Sequence, residues 1–307
     1  MKLPERIVIR EVSPRDGLQG EPEHVSADDK VRLIDMLSAS GVGRINVTSF
    51  VSPTAVPQMA DADEVLARID RRPGVVYDAS VPNMKGALRA LAAKADALMV
   101  FVDASDEGNR RSVRRSTEES VREAEQLITA ARDRGVSVAA TVGTAFGSPY
   151  DEQIPASQVV RMARRFVAAG ASSLALGDTT GEANPRQVTE LVDTVLSEFP
   201  DITVALHLHD TRGLAMANVI AAMTAGITNF DASVGGIGGN PFLHNTAGNV
   251  CTEDLVAMCH KMDVETGIDL EVLVEAHDFL EMLLKHPLPG KVAKIQRPER
   301  GGLNGRG

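Results

Sequence analysis

Short runs of apolar and β-branched residues alternate with longer amphipathic stretches along the whole chain, and this alternation limits the folds that it can adopt. Strands alternating with helices predict βαβ units around a parallel sheet. The strand candidates number eight, as a closed (β/α)8 TIM barrel requires; they are residues 6–12, 43–49, 75–81, 97–103, 136–142, 172–178, 202–209 and 228–234. Helical periodicity covers residues 27–39, 61–71, 85–94, 117–134, 156–169, 186–199 and 214–225.

An open, doubly wound sheet is the alternative fold. Such a sheet usually carries a Gly-rich dinucleotide-binding turn after its first strand, whereas this chain has Pro14-Arg15-Asp16-Gly17 there. We therefore predict the closed barrel, with extra C-terminal helices at 252–263 and 270–285. The length of 307 residues, 43% of them apolar, suits one catalytic domain over residues 1–296. The Gly- and Arg-rich segment 297–307 is expected to be a flexible tail.

Charge and cysteine content restrict the partners and the compartment. A net charge of −10 argues against nucleic-acid binding, for which a basic face is expected. The two cysteines, Cys251 and Cys259, imply no disulfide framework and fit a reducing compartment. No apolar run approaches the roughly 20 residues that span a bilayer, and no leader-like segment follows Met1. We expect a cytoplasmic protein with no membrane partner.

Polar side chains stand at the ends of most predicted strands. Because the carboxyl ends of barrel strands meet at one mouth, these side chains should be neighbours in space. They are Arg15, Asp16, Asn46, Thr48, Ser49, Asp103, Thr141, Asp178, His207 and His209, with the loop 235–249 following strand eight. For any one of them, a structural polar group or a helix cap is the alternative reading.

The sequence His207-Leu208-His209 ends the seventh strand candidate. Residues i and i+2 of a strand face the same side, so the two imidazoles could share a metal ion. Asp16 and Asn249 could complete a shell of oxygen and nitrogen donors, which suits Mg²⁺, Mn²⁺ or Co²⁺ about as well as Zn²⁺. A histidine pair on a solvated strand face without metal is the alternative.

Six motifs resemble the 3-hydroxy-3-methylglutaryl-CoA (HMG-CoA) lyase family of metal-dependent TIM-barrel lyases. They occur in the family's order and spacing, and the resemblance extends from about residue 6 to about residue 295. The motifs are EVSPRDGLQ at 11–19, TSFVSP at 48–53, VPQM at 56–59, LGDT at 176–179, HLHDT at 207–211 and GN at 248–249.

The resemblance implies roles for particular residues. Asp16, His207, His209 and Asn249 match the family's metal ligands, and Arg15 matches the arginine that stabilises the enolate oxygen of the departing acyl-CoA. The metal would act as a Lewis acid on the 3-hydroxyl and a neighbouring carbonyl. His207 or Asp16 would remove the hydroxyl proton, the C2–C3 bond would break, and an acid would protonate the enolate to release acetyl-CoA. Mg²⁺ or Mn²⁺ is the expected ion.

Four positions depart from the family's pattern. The family has Cys, Glu, Ser and Tyr where this chain has Asn240, Asn46, Ala175 and Thr141. The family's cysteine is a mobile acid, and an amide cannot replace it near neutral pH. His244, in the same loop, is our candidate acid because its ordinary pKa lies near 6.5; an exposed loop histidine is the alternative.

The side chains expected to contact substrate include three of these departures and two family matches: Asn46, Thr48, Thr141, Asp178 and Asn240. The departures cluster where the half of the substrate outside CoA would lie. The resemblance therefore implies a lyase for a 3-hydroxyacyl-CoA, with HMG-CoA or a relative such as citramalyl-CoA as the substrate. Basic residues between 109 and 115 could meet the nucleotide phosphates.

Two other functions stay open at this stage. A condensing acyl-CoA synthase of the same superfamily would run related chemistry in the opposite direction, and a metal-binding protein without activity would keep only the barrel. The intact Arg15 and the four possible ligands argue against loss of activity. A homodimer is expected from the family.

Overall fold

Eight parallel strands form a closed barrel in a computed structural model that describes residues 2–151, 153–239 and 247–296. Each strand pairs with its neighbours in chain order, and the last strand pairs with the first. The strands are β1 Val8–Glu11, β2 Arg44–Ser49, β3 Val76–Ser80, β4 Ala97–Asp103, β5 Ser137–Gly143, β6 Ser173–Asp178, β7 Thr203–Leu208 and β8 Asn229–Ala232. The predicted (β/α)8 barrel is confirmed.

Helices follow the strands and surround the barrel. They are α1 Ala27–Ala39, α2 Ala62–Arg68, α3 Met84–Ala92, α4 Asp106–Val113, α5 Thr117–Arg132, α6 Ala156–Ala169, α7 Pro185–Glu198, α8 Ala215–Thr224, α9 Thr252–Lys261, α10 Leu270–Leu284 and α11 Val292–Gln296. The predicted helices all occur, with bounds that differ by at most three residues. Helix α4 was not predicted, because its polar, Gly-containing sequence lacks a clear apolar face. The proposed tail, 297–307, lies outside the described residues.

Local sequence fixes the helix ends, and apolar faces fix the packing. The Ser116 hydroxyl accepts from the Glu119 amide while the Glu119 carboxylate accepts from the Ser116 amide, which starts α5 with a capping box. Gly170 ends α6 at φ +105°, a left-handed conformation that glycine adopts at little cost. Leu33 and Leu37 of α1 are fully buried in the layer between helices and strands.

No helix in the described ranges is both long and apolar enough to cross a bilayer.

A buried carboxylate joins the first and last strands near the barrel mouth. Glu11, at the end of β1, is fully buried. Its Oε1 accepts from the amides of Ser13 (2.8 Å) and Val234 (3.0 Å), and its Oε2 accepts from the Thr252 hydroxyl (2.6 Å). One side chain therefore ties the loop after β1 to the loop after β8 and to the start of α9.

We predict that Glu11→Ala lowers the free energy of unfolding by about 3 kcal/mol, because three buried donors lose their acceptor. Glu11→Gln keeps the volume and one acceptor oxygen, so its loss should be about 1 kcal/mol. Urea denaturation of both variants at pH 7 measures the difference. Equal losses for the two variants would contradict this account of Glu11.

Candidate active site at the barrel mouth

A single wide turn after β1 places Arg15 and Asp16 at the mouth. Residues Ser13–Gly17 form one π-helical turn, in which the Val12 carbonyl accepts from the amides of Asp16 (2.7 Å) and Gly17 (3.1 Å). Arg15 Nη1 donates to Asp16 Oδ1 at 2.7 Å. Arg15 Nε is buried without a hydrogen-bond partner in the described structure, so one donor of the guanidinium remains free.

The two histidines at the end of β7 point their Nε2 atoms at each other. The rings are 5.0 Å apart, and the Nε2 atoms are separated by 3.1 Å. His209 Nδ1 lies 2.9 Å from the carbonyl of Ala247, and His207 Nδ1 lies 3.1 Å from Asp231 Oδ2. Since a carbonyl or an ionised carboxylate can only accept, both Nδ1 atoms carry the proton when the rings are neutral. The two Nε2 lone pairs then point at the same space. In metal sites, a hydrogen bond from Nδ1 fixes the histidine tautomer in this way and leaves Nε2 free to bind the ion.

Asp16 and Asn249 stand beside this pair. Asp16 Oδ2 lies 3.8 Å from His207 Nε2 and accepts from Asn249 Nδ2 at 2.9 Å. Ligand atoms of Asp16, His207 and His209 all lie within 4.8 Å of one another. Asn249 Oδ1 is buried and has no hydrogen-bond partner among the described residues. An unpartnered buried oxygen beside two converging lone pairs fits a cation, so these residues could hold a divalent metal ion.

Burial and neighbouring charges shift the pKa values of the two histidines and of Asp16. Burial and the adjacent His207 lower the pKa of His209 to about 4. Burial alone would lower the pKa of His207 as well, but Asp231 and Asp16 outweigh it and raise that pKa. Burial would raise the pKa of Asp16, yet His207 and Arg15 hold it below its ordinary value. His209 is therefore neutral and Asp16 ionised near neutral pH, as ligands to a cation must be.

Asp231 and Arg10 support His207 from inside the barrel, and sequence reasoning missed both. Both terminal oxygens of Asp231 bond to Arg10, through Nε and Nη2, and Oδ2 also faces His207 Nδ1. Burial would raise the pKa of Asp231, but Arg10 and His207 hold it far below its ordinary range. The sequence does carry a signal for them: Arg10 lies within the apolar strand β1 and Asp231 within β8. Opposite charges at interior positions of paired strands indicate a buried ion pair.

A β-bulge in β2 places Thr48 away from the barrel mouth, whereas the sequence predicts it there. Asn46 pairs with Asp78 and Thr48 with Ala79, so the register shifts between Asn46 and Thr48. The extra residue turns the Thr48 side chain away from the barrel interior, where its hydroxyl lies 3.6 Å from the Met59 sulfur. Ser49 instead lines the cavity at the barrel mouth, which Arg15, Asp16, His207 and His209 also line.

Asp178, Asn46 and Thr141 also do not line this cavity. Asp178 Oδ1 accepts from the amides of Glu182 (2.8 Å) and Ala183 (3.1 Å), so its carboxylate shapes the loop after β6. The neighbouring Thr179 lines the cavity in its place. Asn46 is fully buried beneath it, donating to Asp78 and accepting from Ser80.

Thr141 faces the barrel interior with a buried hydroxyl that lacks a partner among the described residues. Asn240 and His244 lie outside the described residues. Of the basic residues proposed to meet nucleotide phosphates, Arg110 pairs with Asp106 and Arg111 with Glu107, both on exposed α4.

The comparisons with known proteins agree on one family. The family model described as HMGL-like matches residues 6–280. Hydroxymethylglutaryl-CoA lyase of Bacillus subtilis is 42% identical over 295 residues, covering 96% of this chain and 99% of the relative. The human mitochondrial hydroxymethylglutaryl-CoA lyase is 40% identical over 292 residues, covering 95% and 90%. A solved structure of an HMG-CoA lyase from Acinetobacter baumannii with coenzyme A and 3-methylmalate is 40% identical, has a TM-score of 0.92, and covers 97% of each chain.

We predict that Asp231→Asn weakens Mn²⁺ binding by about 10- to 100-fold, because His207 loses the charged acceptor that fixes its tautomer and makes it a stronger ligand. Isothermal titration calorimetry at pH 7.5 measures the affinity. Asp178→Asn is the matched control and should change it less than about twofold, because Asp178 bonds to loop amides.

Asp231→Asn also leaves Arg10 buried with a weaker partner, which could unfold the barrel. The double variant Arg10→Met/Asp231→Asn removes that stranded charge and should bind Mn²⁺ as weakly as the single variant. Wild-type affinity in a folded double variant would overturn the role given to Asp231.

Proposed function

The chain belongs to the HMGL-like family and is a carbon–carbon lyase, and on that premise we propose that it cleaves a 3-hydroxyacyl-CoA to acetyl-CoA and a carbonyl product. HMG-CoA, on which the relatives are named, is the first substrate to test. One observation supports the proposal best. The Nε2 lone pairs of His207 and His209 converge beside Asp16 and Asn249, and Arg15, with an unpartnered buried Nε, lies next to them.

The proposed metal is a divalent ion held by Asp16, His207, His209 and Asn249. Oxygen and nitrogen donors without a thiolate favour Mg²⁺ or Mn²⁺, while Co²⁺ and Zn²⁺ also fit such a shell. The ion would supply Lewis-acid polarisation of the substrate oxygens.

The chain's own residues would divide the proton transfers and the charge stabilisation. We assign removal of the 3-hydroxyl proton to Asp16, because its carboxylate is ionised and has a second oxygen, whereas His207 carries a proton on Nδ1 and its Nε2 would face the ion. Arg15, whose Nε is unpartnered, would donate to the thioester enolate oxygen as the C2–C3 bond breaks. Asp16 would hold Arg15 in place through the 2.7 Å bond to Nη1.

The remaining expectations belong to the same proposal. The condensing synthase and the protein without activity find no support in the relatives, which are named as lyases. A homodimer and a cytoplasmic location stay predictions, to be tested by sedimentation of the purified protein and by cell fractionation.

We predict that the metal-free protein releases no acetyl-CoA from HMG-CoA and that Mg²⁺ or Mn²⁺ restores release. Asp16→Asn should lower kcat/KM by about a thousandfold or more, since several kcal/mol of Lewis-acid stabilisation are lost. A coupled assay for acetyl-CoA, with metal content measured in parallel, gives the result. A folded, metal-loaded protein that cleaves neither HMG-CoA nor any other 3-hydroxyacyl-CoA would overturn the proposed function.

The proton donor to the enolate is proposed to be His244. His244→Ala should lower kcat by about 10²- to 10⁴-fold with a smaller change in KM, because a general acid acts in the transition state. His260→Ala, at an exposed position of α9, is the matched control and should leave kcat unchanged. Unchanged kcat in His244→Ala would remove His244 from the reaction, and gain of rate in Asn240→Cys would then point to the loop position that the family's cysteine occupies.

A further inference from the structure

Among the described residues, the wall of the cavity at the barrel mouth that faces the proposed metal ligands is apolar apart from three serines. In a closed barrel with its strands in chain order, β3 and β4 lie across from β7 and β8. The apolar side chains of this wall are Val51, Ala55, Val56, Val81, Pro82, Met99, Phe101 and Val113, and its serines are Ser49, Ser80 and Ser112. A ligand that binds the ion through its oxygens must place its remaining atoms against this wall.

Ser112 is the serine of this wall whose hydroxyl group is buried without a hydrogen-bond partner in the described structure. It lies in the last turn of α4, and the Asn109 side-chain amide fixes the end of that helix by donating to the Arg115 carbonyl at 2.9 Å. The Ser80 hydroxyl, by contrast, donates to Asn46 Oδ1 at 3.1 Å. A buried, unpartnered hydroxyl on a residue that lines a cavity indicates that a ligand atom completes its hydrogen bonding.

Asp103 carries a buried carboxyl group at the end of β4. Phe101 and Asp103 are two residues apart on this strand and so share one face, and Phe101 lines the cavity. Two glycines leave room for the carboxyl: a Cβ on Gly143 would lie 2.7 Å from Asp103 Oδ1, and one on Gly108 would lie 4.0 Å from Asp103 Cγ. The carboxyl is thus enclosed between β5 and α4, the helix that carries Ser112, and its Oδ1 has no hydrogen-bond partner among the described residues.

No charged side chain of the described structure compensates the Asp103 carboxyl. Burial raises the pKa of Asp103 to about 7, and the groups that act against this shift are the hydroxyls of Ser112 and Thr144. The charged side chains of the covering helix α4 pair with one another, Arg110 with Asp106 and Arg111 with Glu107. A buried carboxyl without a cation favours its neutral form, and a neutral carboxylic acid can donate a hydrogen bond.

The protonation of Asp103 decides where the Ser112 hydrogen points. An ionised carboxylate can only accept, and since the Thr144 hydroxyl already donates to the Gly143 carbonyl at 2.8 Å, it would take the Ser112 hydrogen. A neutral carboxyl can instead donate its own proton to Ser112 Oγ. The Ser112 hydrogen is then free to point into the cavity, and Ser112 becomes a donor to a ligand.

The charge of the cavity favours an anionic group opposite this hydroxyl. The divalent ion proposed for the cavity and Arg15, whose Nε is unpartnered, together carry more positive charge than Asp16 balances. In the proposed reaction they act on the 3-hydroxyl and the thioester oxygen, so the substituent on C3 is the part of the acyl group that reaches the facing wall. HMG-CoA carries –CH2–COO⁻ on C3, and a carboxylate oxygen is a strong acceptor for a hydroxyl.

We infer that Ser112 donates a hydrogen bond to the carboxylate on C3 of the substrate, and that Asp103 is the positioning residue that orients the Ser112 hydroxyl for this contact. The inference rests on the proposed function and names the residues of the same site that recognise the C3 substituent. Ser112 then selects between substrates by the group on C3, while the ion and Arg15 act on oxygens that all 3-hydroxyacyl-CoA thioesters share.

Binding of two analogues that cannot be cleaved tests the contact with Ser112. Both analogues lack the 3-hydroxyl; 3-methylglutaryl-CoA carries the carboxylate, and 3-methylpentanoyl-CoA carries –CH2–CH3 at the same place. By calorimetry on the Mg²⁺-loaded protein at pH 6, we expect 3-methylglutaryl-CoA to bind at least about tenfold more tightly. Ser112→Ala should reduce this preference by about tenfold, whereas Ser112→Thr, which keeps the hydroxyl, should hold it within about threefold.

Ser80→Ala is the matched control, because it removes from the same wall a hydroxyl whose hydrogen is already donated to Asn46. It should change the preference less than about threefold. Each preference compares two analogues on one variant, so a partial loss of folded protein cancels. An unchanged preference in Ser112→Ala, or an equal loss in Ser80→Ala, would overturn the contact.

The pH dependence of the same preference tests the positioning role of Asp103. With an Asp103 pKa of about 7, the neutral acid prevails at pH 6 and the carboxylate at pH 8.5. The wild-type preference should therefore fall at least about fivefold between these pH values, because an ionised Asp103 accepts the Ser112 hydrogen and repels the ligand carboxylate. In Asp103→Asn the side-chain amide can donate at either pH, so the preference should vary less than about twofold. An equal decline in Asp103→Asn would remove Asp103 from this role.

Kinetics with HMG-CoA separate failure of this inference from failure of the proposed function. A contact made equally in the ground state and the transition state should let Ser112→Ala raise KM about tenfold while kcat changes less than about threefold. If HMG-CoA is cleaved and KM is unchanged in Ser112→Ala, the inference fails and the lyase proposal stands. If no 3-hydroxyacyl-CoA is cleaved but the analogues bind with the expected preferences, the lyase proposal fails and the contact with Ser112 stands.

Discussion

The ion pair between Arg10 and Asp231 is the interaction on which the barrel mouth depends. It lies inside the barrel, joins β1 to β8 across the closure, and leaves one carboxylate oxygen facing His207 Nδ1. Separating the partners would leave a buried charge, so the pair holds the carboxylate in one position and keeps it ionised. That carboxylate in turn decides which nitrogen of His207 carries the proton and hence where its lone pair points. The direction in which the His207 lone pair points is therefore set by Asp231 and, through Asp231, by Arg10.

The fold and the proximity of the proposed metal ligands could be predicted from the sequence, because periodicity gives the strands and the barrel brings their ends together. Eight strands were found from apolar alternation, and the barrel rule that strand ends converge brought together Asp16, His207, His209 and Asn249, which are far apart in sequence. The supporting shell could not be predicted in the same way. Arg10 and Asp231 each stand within an apolar strand, and their pairing depends on the closure of the barrel, which no local pattern specifies.

At two strand ends the structure places the neighbour of a predicted substrate contact at the cavity. Thr48 and Asp178 were chosen because they end their strands, yet the cavity is lined by Ser49 and Thr179. In β2 a bulge adds one residue, and since side chains alternate with a period of two, one extra residue exchanges interior and exterior faces. At the end of β6, the Asp178 carboxylate accepts hydrogen bonds from the amides of Glu182 and Ala183 in the following loop. A sequence motif identifies the right strand end, but the backbone decides which of two neighbours faces the ligand.

The charged residues beneath the mouth are arranged in pairs. A barrel interior can hold few ions, because each one must be paired when water is excluded. Here Arg10 is engaged by Asp231 and Arg44 by Asp78, and the first of these pairs also orients His207. A guanidinium group committed to such a pair is not available to a ligand, which leaves Arg15, among the described residues that line the mouth, as the arginine with an unpartnered buried donor.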